Sequence, residues 1–233
     1  MVEYHVIVLA AGQGKRMNAG KNKQFIQLQD KPLIVHTLMN FIQDEWCQSI
    51  YMVISQEDQL AMEGLLKEHF LFDHVHLVHG GKERQESGYR GIKAIQPVQP
   101  DAVVMIHDGA RPFVEKKHLH QLAVTAKEEK AVLLAVQVTD TIKRKTIDSV
   151  ETLDRSFLWA AQTPQAFHYS LIKKVHEMAN DQEFLGTDDA SLVEEFMPEQ
   201  QVKIVEGSYQ NVKLTTPEDL LRAELILNKK GEA

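Results

Sequence analysis

The sequence predicts an α/β fold in which a mostly parallel, twisted sheet has helices on both faces. Short apolar runs alternate with longer amphipathic segments about five times before residue 139. This alternation favours a parallel sheet, because a chain that leaves one parallel strand needs a long crossover, usually a helix, to reach the next. Several of the apolar runs also lack alternating polar positions, which is typical of strands buried on both sides.

The order of the segments predicts each element in turn. Apolar runs predict strands at residues 6–9, 50–54, 75–78, 102–106, 131–138 and 202–205. Apolar spacings of three and four residues predict helices at residues 33–42, 57–70, 83–95, 116–129, 171–179, 189–196 and 217–227. Thr216 followed by Pro217 fits a helix start, with the threonine as cap and the proline in the first position. No repeat or boundary divides the chain, so we expect one domain over residues 1–233.

One stretch, at about residues 139–160, interrupts this rhythm. It is charged, rich in β-branched residues and without helical period. We therefore predict an extended β-arm or hairpin that leaves the domain.

Composition limits the classes of function. The formal net charge is −7, which disfavours binding to nucleic acid, so any anion site must come from a local cluster of Lys and Arg. The one cysteine, Cys47, excludes an intrachain disulfide and a cysteine-based zinc site. No leader-like segment or apolar run of about 20 residues is present, so we expect a cytoplasmic protein with no membrane partner.

The loop after the first strand has the composition of an anion site. Residues 10–17 read Ala-Ala-Gly-Gln-Gly-Lys-Arg-Met, and Lys23 follows. Small residues let the backbone approach a ligand, successive N–H groups form an anion nest, and Lys15 and Arg16 add positive charge. Met17 stands where a dinucleotide fingerprint needs its third glycine, and the spacing of a P-loop is also absent. We interpret this loop as a triphosphate site.

Polar residues also follow later strands, at the edge of the sheet where ligands bind in such folds. Asp108 suits Mg²⁺ or sugar hydroxyls, and Arg111 suits a phosphate. Lys213 stands in an apolar segment at 211–215 that we predict to be a strand, where a lysine is uncommon unless it points into a charged cleft. Thr163 and Thr187 add hydroxyl groups at segment junctions.

Taken together, these loops resemble the 2-C-methyl-D-erythritol 4-phosphate cytidylyltransferase family of the non-mevalonate isoprenoid pathway. The resemblance covers about residues 6–225 and depends on the order of its motifs, since none is decisive alone. The motifs are Ala10-Ala11-Gly12-x-Gly14-x-Arg16-Met17, Lys23-Gln24, Gly80-Gly81-x-Glu83-Arg84, His107-Asp108-x-Ala110-Arg111-Pro112, Asp140-Thr141, Thr163-Pro164-Gln165, Thr187-Asp188 and Lys213-x-Thr215-x-Pro217-Glu218-Asp219.

The resemblance implies a nucleotide-diphosphosugar transferase type of fold, transfer of CMP from CTP to the polyol phosphate, and release of pyrophosphate. It implies Mg²⁺ or another divalent cation, with Asp108 a possible ligand. Residues expected to bind the nucleotide are Ala10, Ala11, Gly12, Gly14, Lys15, Gly81 and Ser87. Residues expected to act in catalysis are Arg16, Lys23 and Lys213. Residues expected to face the polyol phosphate are Asp108, Arg111, Thr141, Arg155, Thr163 and Thr187.

The arm at residues 139–160 is similar to the family's dimerisation arm. This similarity implies a homodimer in which Thr141 and Arg155 enter the partner's substrate pocket. The chain departs from the family at two positions: Gly109 replaces a frequent alanine, and Lys82 replaces a frequent aspartate, which bears on nucleotide binding.

Three alternatives remain open at this point. A ribitol 5-phosphate cytidylyltransferase would share the architecture and differ in the acceptor. A non-catalytic nucleotide-binding regulator would not require Arg16, Lys23, Asp108 and Lys213 together. A dinucleotide oxidoreductase is weakened by the missing glycine and by the lack of a clear acid about 20 residues farther on.

Overall fold

The computed structural model describes residues 1–12 and 22–231. Its strands are β1 Tyr4–Leu9, β2 Gln27–Leu28, β3 Lys31–Pro32, β4 Cys47–Ile54, β5 Val75–His79, β6 Val103–Asp108, β7 Ala131–Gln137, β8 Lys143–Lys145, β9 Val150–Thr152, β10 Trp159–His168 and β11 Lys203–Glu206. Its helices are α1 Leu33–Ile42, α2 Gln59–Glu68, α3 Arg84–Ala94, α4 Lys116–Glu129, α5 Tyr169–Asp181, α6 Asp189–Phe196 and α7 Pro217–Gly231.

The central sheet has the strand order β11-β7-β10-β6-β1-β4-β5. The pairings of β1 with β4 and β6, of β4 with β5, and of β7 with β11 are parallel. Strand β10 is antiparallel to both β6 and β7. The mostly parallel sheet predicted from the alternating pattern is therefore confirmed.

Helices cover both faces of this sheet, as predicted. Along β1, Val6 and Val8 point to a core formed with α1, α2 and α4, whereas Ile7 points to a core formed with α3, α5 and α6. This alternation follows from the two-residue side-chain period of a strand. A third apolar cluster packs α7 against the start of α1 and the segment after β6. Within the described residues, no helix has the length and apolar character needed to span a bilayer.

One strand was missed by the sequence analysis and one strand was predicted wrongly. Residues 159–168, which had not been predicted as a strand, form the inner strand β10. Residues 211–215, predicted as a strand, have irregular backbone. The arm has a short hairpin of β8 and β9, as expected. Helix α7 begins at Pro217 after Thr216, also as expected, and the Asp219 carboxylate accepts from the N–H groups of Thr215 and Thr216.

Candidate active site

A cavity of about 280 Å³, here called the central cavity, opens at the carboxyl ends of the parallel strands. Leu9 and Asp108, the last residues of β1 and β6, pair in the sheet and both line it. The predicted nucleotide residues that line it are Ala11, Gly12, Gly81 and Ser87. The other predicted site residues that line it are Lys23, Asp108 and Lys213. Segments far apart in sequence therefore meet at one edge of the sheet.

The loop after β1 reaches the cavity with its backbone. Ala10 is fully buried, and its N–H donates to Val53 O at 2.7 Å, so Ala10 fixes the start of the loop from below. Ala11 and Gly12 follow and line the cavity. The predicted site residues Gly14, Lys15 and Arg16 lie outside the described residues.

The loop at residues 80–83 after β5 packs closely against the first loop. A Cβ at Gly80 would lie 2.8 Å from both Ala11 Cβ and Ser87 Oγ, so a larger residue would push the loops apart. The Gly81 N–H donates to Ser87 Oγ at 3.1 Å. Ser87 is buried in the first turn of α3, so its hydroxyl is held directly below the 80–83 loop.

Asp108 is the centre of a cluster of cations. Its Oδ2 lies 3.0 Å from Lys213 Nζ and 3.4 Å from Arg111 Nε, and its Oδ1 lies 3.7 Å from Arg84 Nε. Burial alone would raise the pKa of the Asp108 carboxyl, but Lys213, Arg84 and Arg111 outweigh it and hold the pKa well below its ordinary value. The carboxylate is ionised at neutral pH, and the cations exceed it in number, so this region attracts anions.

A buried hydrogen-bonded pair positions Asp108 from behind. The Asp108 N–H donates to Thr163 Oγ1 at 2.9 Å, and this hydroxyl lies 3.2 Å from His107 Nδ1. His107 Nε2 lies 3.0 Å from Arg111 O, so a proton on Nε2 satisfies all three contacts. Thr163, predicted to face the substrate, is buried and directs its hydroxyl to Asp108 and His107.

The segment carrying Lys213 is held by its neighbours in sequence. Asn211 is fully buried; its side chain donates to Gln162 Oε1 and Thr163 O, and its carbonyl accepts from Arg111 Nη1 at 2.8 Å. On the other side, Leu214 N–H donates to Ala110 O at 2.9 Å. An irregular segment is therefore fixed at both ends, and Lys213 between them points at Asp108.

Lys23, from a distant part of the chain, contacts the same segment. Its Nζ donates to Leu214 O at 3.4 Å. The next residue, Gln24, is buried and lines the cavity, and its Oε1 has no hydrogen-bond partner among the described residues. Lys23 and Lys213 thus line one cavity although they are 190 positions apart in the sequence.

The predicted acceptor residues have three different locations. Arg111 lies beside Asp108 as described above. Thr187 is exposed in the 182–188 loop between α5 and α6, and it does not line the central cavity. Thr141 and Arg155 are exposed on the arm, where Arg155 Nη1 donates to Thr139 O, and in this chain they do not line the central cavity either.

Arg84 is a site residue that the sequence reasoning missed. It lines the central cavity, and its guanidinium contacts both Asp108 and Asp189 Oδ2, the latter at 2.8 Å. The pKa of Arg84 is raised, because these carboxylates outweigh the opposing effect of burial. The one signal for Arg84 in the sequence was its place next to Glu83 in a motif. The direction of its side chain depends on Asp189, which is 105 positions away.

The carboxylates of the central cavity are suitable ligands for a divalent cation that would also bind substrate phosphate oxygens. Among the described residues, Asp108 and Glu83 line the cavity. Mg²⁺ is commonly bound by one or two carboxylates together with substrate phosphates, so this donor set is suitable. Asp108 Oδ2 is also in contact with Lys213, so substrate oxygens would supply most of the coordination.

A second acidic group lies at the other end of the sheet. Ligand atoms of Asp44, Glu45 and His120 lie within 4.8 Å of one another. Lys116 Nζ already lies 2.6 Å from Glu45 Oε2 and 3.7 Å from Asp44 Oδ1. Asp44 precedes β4, at the amino ends of the strands, so this group does not belong to the central cavity.

Comparison with known proteins identifies the family. Residues 4–229 match the family model described as 2-C-methyl-D-erythritol 4-phosphate cytidylyltransferase. The chain belongs to this family. It is a nucleotidyltransferase that transfers CMP from CTP to 2-C-methyl-D-erythritol 4-phosphate, giving 4-diphosphocytidyl-2-C-methyl-D-erythritol and pyrophosphate in isoprenoid biosynthesis. The resemblance, the enzyme class and this acceptor are thereby confirmed over the ribitol 5-phosphate alternative.

Individual relatives agree along the whole length. A 2-C-methyl-D-erythritol 4-phosphate cytidylyltransferase from Halalkalibacterium halodurans is 50% identical, and the match covers 98% of this chain and 99% of the relative. One from Bacillus velezensis is 52% identical over 99% of this chain and 98% of the relative. A crystal structure of 4-diphosphocytidyl-2C-methyl-D-erythritol synthase from Anaerococcus prevotii is similar with a TM-score of 0.86 and 31% identity, covering 97% and 96% of the two chains. The predicted fold class is thereby confirmed.

Proposed function

We propose that the central cavity is where the cytidylyl group is transferred. One observation carries this proposal: Lys23 and Lys213, from distant segments, line the same cavity as Asp108. The backbone of Ala11 and Gly12 and the pair of Gly81 and Ser87 would hold the nucleotide. Ala10 would support them from below, and Gly14, Lys15 and Arg16 would complete the triphosphate site.

The main barrier to this reaction is the repulsion between two anions. A phosphate oxygen of the acceptor attacks the α-phosphorus of CTP in line, the bond to the β-phosphate oxygen breaks, and pyrophosphate leaves. The attacking oxygen is ionised at neutral pH, so no general base is required. Lys23, Lys213 and Arg16 would stabilise the negative charge around the α-phosphorus, because preorganised cations act strongly in a site shielded from water.

We propose Mg²⁺ as the divalent cation of this site. When bound, it would neutralise triphosphate charge and polarise phosphate oxygens. Asp108, with Glu83 at the cavity wall, would hold it together with the substrate. Lys213 would then move from Asp108 toward the phosphates, which frees a carboxylate oxygen.

We also propose a homodimer formed through the arm at residues 139–160, within a cytoplasmic enzyme. The arm exposes apolar side chains: Ile147 is 98% exposed and Phe157 82% exposed. A partner would cover them and bring Thr141 and Arg155 to the acceptor in the neighbouring cavity, next to Arg111. Thr187 would contact the same acceptor.

An assay of pyrophosphate release tests the reaction. With CTP and Mg²⁺ we expect turnover with 2-C-methyl-D-erythritol 4-phosphate, little with ribitol 5-phosphate, and none after chelation of the cation. The dimer is tested by mixing inactive Lys23→Ala and Arg155→Ala proteins. Each mixed dimer should regain one intact site, so a mixture that forms dimers and stays inactive would contradict the crossing arm.

A further inference from the structure

The first turn of α3 contacts a second loop besides the one that precedes it. Gln85 Nε2 donates to Phe184 O at 2.9 Å, and Gln85 Oε1 accepts from Gly186 N–H at 2.8 Å. One side-chain amide therefore satisfies two backbone groups of the 182–188 loop, which is about 100 residues away in sequence. The contact fixes both the distance and the orientation of that loop relative to α3.

An ion pair beside Gln85 strengthens the same connection. Arg84 Nη1 lies 2.8 Å from Asp189 Oδ2, and Asp189 Oδ1 lies 3.1 Å from His176 Nε2. Asp189 is almost fully buried, which alone would raise the pKa of its carboxyl, but Arg84 and His176 lower the pKa to about 2. The first residue of α6 is therefore an ionised anchor for Arg84.

Thr187 lies between these two points of attachment. Gly186 is bound by Gln85 on one side of it. On the other side, Asp188 caps α6 by accepting from Ser191 N–H at 2.9 Å, and Gln165 Oε1 accepts from the N–H groups of Asp189 and Ala190. The backbone position of Thr187 is therefore set by Gln85 together with the fixed start of α6.

The same turn of α3 also positions the loop at residues 80–83. Ser87 Oγ accepts from Gly81 N–H, and Glu86 Oε2 accepts from Lys82 N–H at 2.8 Å. Three consecutive residues, 85–87, thus contact both the 80–83 loop and the 182–188 loop that carries Thr187.

We propose that Gln85 is a positioning residue that sets Thr187, and with it the acceptor, relative to the bound nucleotide. It touches neither substrate and acts through the 182–188 loop. The inference rests on the proposed roles of Gly81, Ser87 and Thr187. It adds a specific expectation: loss of the Gln85 contacts impairs binding of the polyol phosphate and leaves binding of CTP intact.

The test replaces Gln85 by Leu, which keeps the approximate size and removes both hydrogen bonds. We expect the KM for 2-C-methyl-D-erythritol 4-phosphate to rise about tenfold, as for loss of one or two modest hydrogen bonds. The dissociation constant for CTP, measured by calorimetry without acceptor, should change by less than about twofold. Gln121→Leu, on the exposed side of α4 and outside the central cavity, is the matched control and should leave both constants unchanged.

A double-mutant cycle with Thr187→Val distinguishes positioning from general damage. If Gln85 acts through Thr187, the double variant should have a KM close to that of Thr187→Val alone. Fully additive effects, or an equal loss of CTP binding, would overturn the inference while leaving the proposed site intact. If Thr187→Val itself leaves the acceptor KM unchanged, the proposed role of Thr187 fails and the inference fails with it. Gln85→Glu keeps the acceptor for the Gly186 N–H, so it should raise the KM for the polyol phosphate by a smaller factor. This variant takes the place of Gln85→Leu in the test if Gln85→Leu does not fold.

Discussion

The two ends of the central sheet each carry a buried aspartate in contact with basic side chains, and the two clusters differ in what they leave unsatisfied. Tyr4 pairs with Val103 and Leu9 pairs with Asp108, so about five residues, or roughly 17 Å, separate the amino-end cluster from the carboxyl-end cluster. At the amino end, the Asp44 carboxylate accepts from the Tyr4 hydroxyl at 2.7 Å and from the Trp46 N–H, and it lies 2.8 Å from His120 Nε2.

At the carboxyl end, Asp108 faces Arg84, Arg111 and Lys213 beside an open cavity. The Asp44 carboxylate is fully engaged by the Tyr4 hydroxyl, the Trp46 N–H and His120, and Lys116 pairs with the adjacent Glu45. The rings of Trp46 and His120 stack at 3.7 Å between centroids beside it. The Asp108 cluster has more cations than its carboxylate can neutralise. An aspartate that meets the spacing of a metal site is therefore weaker evidence of function than uncompensated charge beside an accessible cavity.

The largest expected effect comes from removing a cation at the carboxyl end. Lys213→Met should lower kcat on the order of 10²-fold or more, because one preorganised charge is lost at the reacting phosphates. Steady-state kinetics of pyrophosphate release measure this effect. The matched change at the amino end, Lys116→Met, should leave kcat within about twofold. Similar losses of kcat in both variants would contradict the assignment of the two ends.

The amino-end cluster should respond in stability rather than in activity. Asp44→Asn removes the charge that Tyr4 and His120 contact, and we expect the free energy of unfolding to fall by about 2 kcal/mol, as for a lost hydrogen bond to a charged group. Urea denaturation measures this change, and kcat of the folded variant should be unaltered. The exposed neighbour Glu45 provides the control, since Glu45→Gln should have little effect on either quantity.

Protonation of His107 should destabilise the carboxyl end at mildly acidic pH. Burial lowers the pKa of His107 from 6.5 to about 4, so the unfolded chain takes up this proton first as pH falls. His107 therefore does not lower the free energy of unfolding above about pH 6.5. As pH falls from about 6.5 to 4, the free energy of unfolding decreases, and at pH 5 the loss is about 2 kcal/mol. His107→Gln should reduce the slope of unfolding free energy against pH over this window. The exposed His74→Gln should keep the wild-type slope, and an unchanged slope in His107→Gln would refute the prediction.

The smallest effect concerns the rim of the central cavity. Lys82 is exposed and lines the cavity, so it adds positive charge beside the proposed nucleotide site. Lys82→Asp should raise the KM for CTP by about threefold at low salt, and the effect should shrink as salt screens the exposed charge. Lys174→Asp changes the same charge on α5 and serves as control. A change in the KM for CTP that does not depend on salt would instead indicate that Lys82 contacts the nucleotide directly.

The sequence predicted the regular parts of the fold well. The bounds of α1, α4 and α6 agree with the predictions, because their apolar spacing reflects one buried face. Strand β10 was not predicted, because its buried positions include Gln162, Thr163 and Gln165, which show no apolar run. Those polar groups are buried because Asn211, Asp108 and Asp188 satisfy their hydrogen bonds. Partners this far away in sequence cannot be recognised from local periodicity.

The site shows the same division between local and long-range information. Asp108 and Lys23 could be found because each follows a strand or lies in a motif. Lys213 was selected as a lysine inside a predicted apolar strand, and it does line the cavity, but its backbone is irregular and is fixed by Asn211 and Leu214 rather than by a sheet. Arg84 was not selected, because its direction is determined by Asp189.

The position of the arm in the sheet has a consequence for how acceptor choice could change in related enzymes. Strands β7 and β10 are adjacent and antiparallel, so residues 138–158 leave and re-enter the sheet at neighbouring strands. The whole segment could be lengthened, shortened or exchanged for another without altering any other strand connection. If the arm contacts the acceptor as proposed, replacement of this single continuous stretch of chain could change the alcohol phosphate that is used without altering the cavity at the carboxyl ends of the strands.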